Sequence, residues 1–156
     1  MELHFLAPDL TKLDEPRAAE VVACCVYEDE MPMRGLAGLV DWRMAGKLSS
    51  LERDGFLRGE GGEVLCVPGR PRIPFDKVLL FGLGTRASFD DEGCKKALAH
   101  VIRVLEGLRV RRAVVELPGR GGEERISPER AAEILHELTH DTTTQDAWWL
   151  VEGADG

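Results

Sequence analysis

The sharpest chemical signal in the chain is His136-Glu137-Leu138-Thr139-His140, an H-E-x-x-H pattern on a predicted helix. In zinc peptidases this spacing brings two imidazoles to one helix face, and the glutamate acts as general base for a metal-bound water. The periodicity of the same segment opposes that use. At about 100° per residue, the apolar set Ala131, Ile134, Leu135 and Leu138 centres roughly 170° from the midpoint of His136 and His140. The histidines are therefore expected to face solvent beside Glu129 and Glu133. A catalytic zinc also requires a third protein ligand in a water-restricted cleft. The only glutamate downstream is Glu152, and no G-x-x-H continuation follows. Three readings stay open: a zinc site on His136, Glu137 and His140, an adventitious surface chelate by His136 and His140, and a solvated helix face.

A second signal, Gly82-Leu83-Gly84-Thr85-Arg86-Ala87, follows a predicted strand and reads G-x-G-x-x-A. In a dinucleotide fingerprint the helix begins inside the motif, so that its amides meet the pyrophosphate. Here the next helix is expected to start near Asp90, with Asp90, Asp91 and Glu92 where a phosphate would sit. A glycine-rich turn is the expectation, and Gly82, Gly84 and Thr85 are candidate contacts only if an anion binds. Arg109, Arg111 and Arg112 with Lys95, Lys96 and Arg103 form a local basic cluster, but no aromatics interleave it. None of Ser49, Ser50, Ser88 and Ser127 lies in a G-x-S-x-G elbow, so no nucleophile can be named. Adjacent Cys24 and Cys25 would point to opposite faces of a strand. With Cys66 and Cys94 and no C-x-x-C, four buried reduced thiols are expected.

The elements that must position these residues follow from hydrophobic spacing. Strands are predicted at Leu3 to Ala7, Val21 to Tyr27, Glu63 to Val67, Val78 to Leu83, Ala113 to Leu117 and Trp148 to Val151. Pro8-Asp9-Leu10-Thr11 is expected as a turn. Leu36, Leu39, Val40, Met44, Leu48 and Leu51 recur at three and four, which predicts one helix of about five turns from Gly35 to near Gly55. A second helix opens on Asp90, Asp91 and Glu92 and buries Cys94, Leu98, Val101, Ile102, Leu105 and Leu108. A third begins at Ser127-Pro128, a cap followed by proline at the first helical position. One-faced helices between apolar strands imply a mostly parallel or mixed sheet covered on both sides, a three-layer α/β/α sandwich of about six strands.

At 156 residues there is room for one domain, 1–156, and no apolar run approaches the roughly 18 residues of a spanning helix. With 28 acidic against 20 basic residues the net charge of −8 argues against nucleic acid and anionic membrane as partners. No basic leader precedes Leu3, so the cytoplasm is the expected compartment.

The stretch Val21 to Leu51, with Tyr27-Glu28-Asp29-Glu30 and Arg34-Gly35-Leu36-Ala37-Gly38-Leu39-Val40-Asp41, resembles the amino-terminal domain of the leucyl (cytosol) aminopeptidase family. The likeness continues through Gly62-Glu63-Val64-Leu65 and Val78 to Gly84, about two thirds of the chain. It implies a macro-domain-like fold, and Asp9-Leu10-Thr11-Lys12-Leu13 is similar to the opening turn of macro domains. In the family the two metal ions, the catalytic lysine and arginine and the N-T-D-x-E-G-R motif belong to a larger second domain, and no N-T-D triplet occurs here. Asp141-Thr142-Thr143-Thr144-Gln145-Asp146 replaces an aromatic run of the family, and Cys24 to Glu28 has no counterpart of the asparagines that grip ADP-ribose in macro domains. The resemblance therefore implies a non-catalytic binding, regulatory or assembly module without a cofactor, acting through a protein partner or self-association. The alternatives are a macro-like domain for a nucleotide or small anion, and a zinc peptidase built on the H-E-x-x-H motif.

Overall fold

A computed structural model of the chain describes residues 1–140 and 143–153. Six strands form one sheet: β1 Glu2–Leu6, β2 Val21–Val26, β3 Val64–Pro68, β4 Lys77–Gly82, β5 Arg112–Val115 and β6 Ala147–Val151. Their order is β1-β6-β5-β2-β4-β3. All neighbours run parallel except β3, which pairs antiparallel with β4 and closes one edge. Helices α1 Gly35–Arg43 and α2 Lys47–Arg53 cover one face together with a 3-10 helix at Leu10–Asp14. Helices α3 Asp91–Gly107 and α4 Pro128–Thr139 cover the other. The three-layer sandwich and mixed six-stranded sheet expected from the spacing are both present.

Strand alternation sorts the core. Val21, Ala23 and Cys25 enter the α3/α4 layer, whereas Val22, Cys24 and Val26 enter the α1/α2 layer. A bond between the adjacent cysteines is thereby excluded, and burial pushes both thiols well above their ordinary range. Cys66 differs from expectation: it is exposed, because β3 is an edge strand that α3 does not cover.

The single helix predicted from Gly35 to near Gly55 is two helices. Ala45 and Gly46 both adopt positive φ, 55° and 82°, so the right-handed path breaks after α1. The Asp41 carboxylate then caps the new start, accepting from the amides of Leu48 (2.8 Å) and Ser49 (3.1 Å) and from the Ser49 hydroxyl. Both segments keep the same apolar stripe, with Leu36, Val40, Met44 and Leu48 buried. The Pro8 to Thr11 turn is the entry to the 3-10 helix, with Asp9 as its cap. Helices α3 and α4 are capped as the sequence indicates, by Asp90 on the Gly93 amide (2.9 Å) and by Ser127 on the Arg130 amide (3.1 Å).

Candidate functional site

In open α/β sheets a ligand crevice forms outside the carboxyl ends of the strands where the order reverses. Here the chain leaves β2 toward β4 on one side and returns through α3 to β5 on the other, so the switch point lies between β2 and β5. The loops that meet there carry Tyr27 to Gly35 and Glu116 to Gly122. The chain's own charged side chains fill this crevice. Glu116 is buried, and its carboxylate accepts from the Leu36 amide at 2.7 Å, occupying the positive end of α1. Gly35 at φ +63° and Gly121 press against that carboxylate, and a Cβ on either would collide with it.

Burial pushes the Glu116 carboxyl up to about 7, although the amide of Leu36 and the bond to Cys25 favour the ionised form. Glu30 and Glu152 raise it further. Glu30, also buried, accepts from the Glu123 amide at 3.3 Å. Arg120, in the same loop, is buried and holds Glu152 in a two-point pair of 2.7 and 2.9 Å, and it donates to the Ile126 carbonyl at 2.8 Å. The Tyr27 hydroxyl is buried without a hydrogen-bond partner among the described residues, its ring packed edge-on against Phe89.

The H-E-x-x-H histidines sit on the exposed side of α4, their rings stacked with centroids 5.2 Å apart. His140 caps the helix end, its Nδ1 lying 3.2 Å from the carbonyls of both His136 and Glu137. Glu137 turns toward α3, 3.9 Å from Lys95 and 3.8 Å from Arg130. Glu152, the downstream glutamate, is engaged by Arg120. Among the described residues no group of three histidine, cysteine or acidic side chains could hold a metal. His136 and His140 instead form one wall of a groove of about 580 Å³ between α4 and β1, whose apolar floor is Leu3, Phe5 and Leu150.

The glycine turn is held by backbone bonds. Gly82 donates to Glu63 (2.8 Å), Leu83 to Val26 (2.9 Å) and Gly84 to Gly59 (2.8 Å), while the Asp29 carboxylate takes the Arg86 amide at 3.0 Å. Thr85 bonds Ser88 through their hydroxyls at 2.6 Å. Gly82 has to be glycine because a Cβ there would strike the Glu60 carbonyl. The basic cluster is divided by ion pairs: Arg111 and Arg112 reach Asp146, and Lys95 reaches Glu92 and Glu137. Lys96 and Arg103 line a separate groove of about 500 Å³ that also contains Gly82, together with His100, which burial and then Arg103 hold below the ordinary imidazole value.

Sequence reasoning missed Glu116, Glu30 and Arg120. Their only signals were a glutamate at a strand's carboxyl end and an arginine amid the glycines of the following loop. Residues 141 and 142 of the Asp141 to Asp146 stretch lie outside the described residues.

Residues 21–144 match the family model described as "Cytosol aminopeptidase family, N-terminal domain". A probable cytosol aminopeptidase of Halorhodospira halophila is 37% identical over 131 residues, which is 80% of this chain and 26% of that protein. Its counterpart in Alkaliphilus oremlandii is 24% identical over 119 residues, 76% of this chain and 23% of that protein. The chain thus spans about a quarter of the length of these relatives. Among solved structures, a mutant of tomato leucine aminopeptidase superposes with a TM-score of 0.70 at 14% identity, over all of this chain and 33% of that one. The macrodomain of Thermus aquaticus DarG gives 0.68 at 15%, covering 96% of this chain and 97% of its own. At these identities the two structures bear on fold alone, and that fold is macro-like.

Proposed function

The chain belongs to the cytosol aminopeptidase family, of which it carries the N-terminal domain, and we propose that it works as a non-catalytic assembly module in the cytoplasm. The observation that carries this reading is the position of its open apolar surface. Leu3 and Phe5 are 44% and 67% exposed, side by side on β1, and they floor the groove beneath α4. Contiguous exposed apolar surface rimmed by polar groups marks a contact with another protein. The crevice at the switch point, by contrast, is occupied by the buried Glu116 and Glu30 carboxylates, which supports protein contact over small-molecule chemistry. Among the described residues no helix is long and apolar enough to cross a membrane.

The test is turnover. Incubated with manganese or zinc, the chain is expected to hydrolyse no aminoacyl-amide. Metal-dependent hydrolysis that disappears in Glu137→Ala would overturn the reading in favour of a zinc peptidase.

A further inference from the structure

We infer that β1 is the contact through which two copies of this chain join, edge to edge and antiparallel, about a two-fold axis at Leu3. The inference rests on the assembly reading and names its partner. Strand β1 ends the sheet, and its even residues serve β6: the Glu2 amide donates to the Asp146 carbonyl and the Leu6 carbonyl accepts from Glu152. Backbone groups alternate along a strand, so Leu3 and Phe5 turn their N–H and C=O groups outward. Glu2–Leu6 carries no proline, no lysine and no bulge on that edge, and Glu2 is its one acidic side chain.

The outward groups fix the possible registers. In an antiparallel pair, residues that exchange both bonds must both point outward, so an odd residue must face an odd residue. Centring on Leu3 sets Leu3 against Leu3 and Met1 against Phe5 of the second copy. The same register places Glu2 opposite His4, twice, at the non-hydrogen-bonded positions where side chains come closest. A carboxylate then faces an imidazole across the axis in both directions. Within one chain these two groups already lie 3.4 Å apart, and His4 is held by stacking on Trp149 at 5.0 Å. Moving the axis to His4 sets His4 against His4 and leaves Glu2 facing Leu6, a buried apolar side chain. Moving it to Phe5 leaves Glu2 with no opposite charge. Only the Leu3 register sets the Glu2 carboxylate against an imidazole on both sides of the axis.

Apolar surface agrees with this choice. Met1, Leu3 and Phe5 lie on the α4 side of the sheet, where they line the groove with Leu135 and Leu150. Opposed residues share a face of an antiparallel pair. Six exposed apolar side chains, three from each copy, would therefore merge into one patch walled by both α4 helices.

Sedimentation velocity between about 1 and 500 μM tests the pairing, a range that spans dissociation constants of ordinary weak to moderate contacts. The wild-type chain is expected to shift from monomer to dimer. Glu2→Lys sets a lysine against His4, and His4→Glu sets glutamate against glutamate, so each is expected to weaken the dimer about tenfold. The double swap sets lysine against glutamate in both directions and is expected to recover the dimer, which a general loss of folding or of the Trp149 stack cannot imitate. Wild-type chain that stays monomeric throughout overturns the inference, as does a double swap no better than the single variants. Association that survives both charge changes but is lost in Phe5→Glu places the contact in the groove without strand pairing, and also overturns it. None of these outcomes touches the non-catalytic reading, which falls only on metal-dependent turnover.

Discussion

The Leu36 amide donates to the Glu116 carboxylate at 2.7 Å, across eighty positions of sequence. This one bond ties the start of α1 to the end of β5 and fills with a side chain the place where a helix terminus would otherwise meet an external anion. With the buried Glu30 and with Glu152 already acting on Glu116, the place holds the chain's own acidic groups, which disfavours an external anion.

The same carboxylate should write itself into the pH dependence of stability. Its folded value, about 7, lies above the ordinary 4.5, so between those limits the folded chain holds a proton that the unfolded chain has released. The contribution of Glu116 is therefore fully present below about pH 4.5, declines as pH rises, and becomes a penalty of about 3 kcal/mol above pH 7. Glu116→Gln keeps an oxygen for the Leu36 amide and cannot ionise. Urea melts at pH 5 and pH 8 should show the variant gaining on the wild type at the higher pH, and an unchanged difference between the two would refute the assignment.

Local chemistry made much of the fold legible. The caps Asp90 and Ser127, the 3.6 spacing of α3 and α4 and the apolar runs of the strands all act within a few residues, and each element formed where they indicated. The outward placement of His136 and His140 was legible for the same reason, because a helix face is set by spacing. The break at Ala45 and Gly46 was not, since both short helices keep the stripe that one long helix would show. Glu116, Arg120 and Glu152 escaped because their partners lie tens of residues away, and only the meeting of loops from β2, β5 and β6 brings them together. Exposure of Cys66 likewise depends on β3 being an edge strand, which topology decides.

The Arg120–Glu152 pair is nearly dry, with the two side chains 4% and 9% exposed. Removing Glu152 leaves the buried Arg120 only the exposed Glu124 carboxylate, 3.5 Å away, at a cost of about 3 kcal/mol. Glu152→Ala should accordingly lower the melting temperature by roughly 10 °C for a chain of this size. Arg120→Met combined with Glu152→Met should recover much of that loss, because no lone charge remains. A calorimetric scan of the three variants checks this, and a double variant as unstable as Glu152→Ala would show that the cost was not electrostatic.

His136 lies on the open wall of the α4 groove, so its removal should leave stability within about 0.5 kcal/mol of the wild type. The measurement is a denaturant melt of His136→Ala with and without zinc. A loss of several kcal/mol, or a zinc-dependent rise in the wild type that His136→Ala abolishes, would reveal a metal bound with structural effect.

At the glycine turn two effects compete for an anion. A run of backbone amides beside positive-φ glycines can cradle phosphate as a local feature, whatever the net charge. Here those amides are committed: Gly82, Leu83 and Gly84 donate to backbone carbonyls within 2.9 Å, and Arg86 donates to the Asp29 carboxylate. The next positive helix end is also taken, since Asp90 accepts from the Gly93 amide, and Asp91 and Glu92 follow in the first turn. A phosphate would have to break bonds already made and approach three carboxylates within a Debye length of about 8 Å. ADP-ribose and dinucleotides are therefore expected to bind no tighter than about 1 mM, equivalent to about 4 kcal/mol. NMR shift mapping at low salt decides the matter: micromolar saturation centred on Gly82 and Gly84 would mean that those amides can be released, and that the domain is a nucleotide-binding one after all.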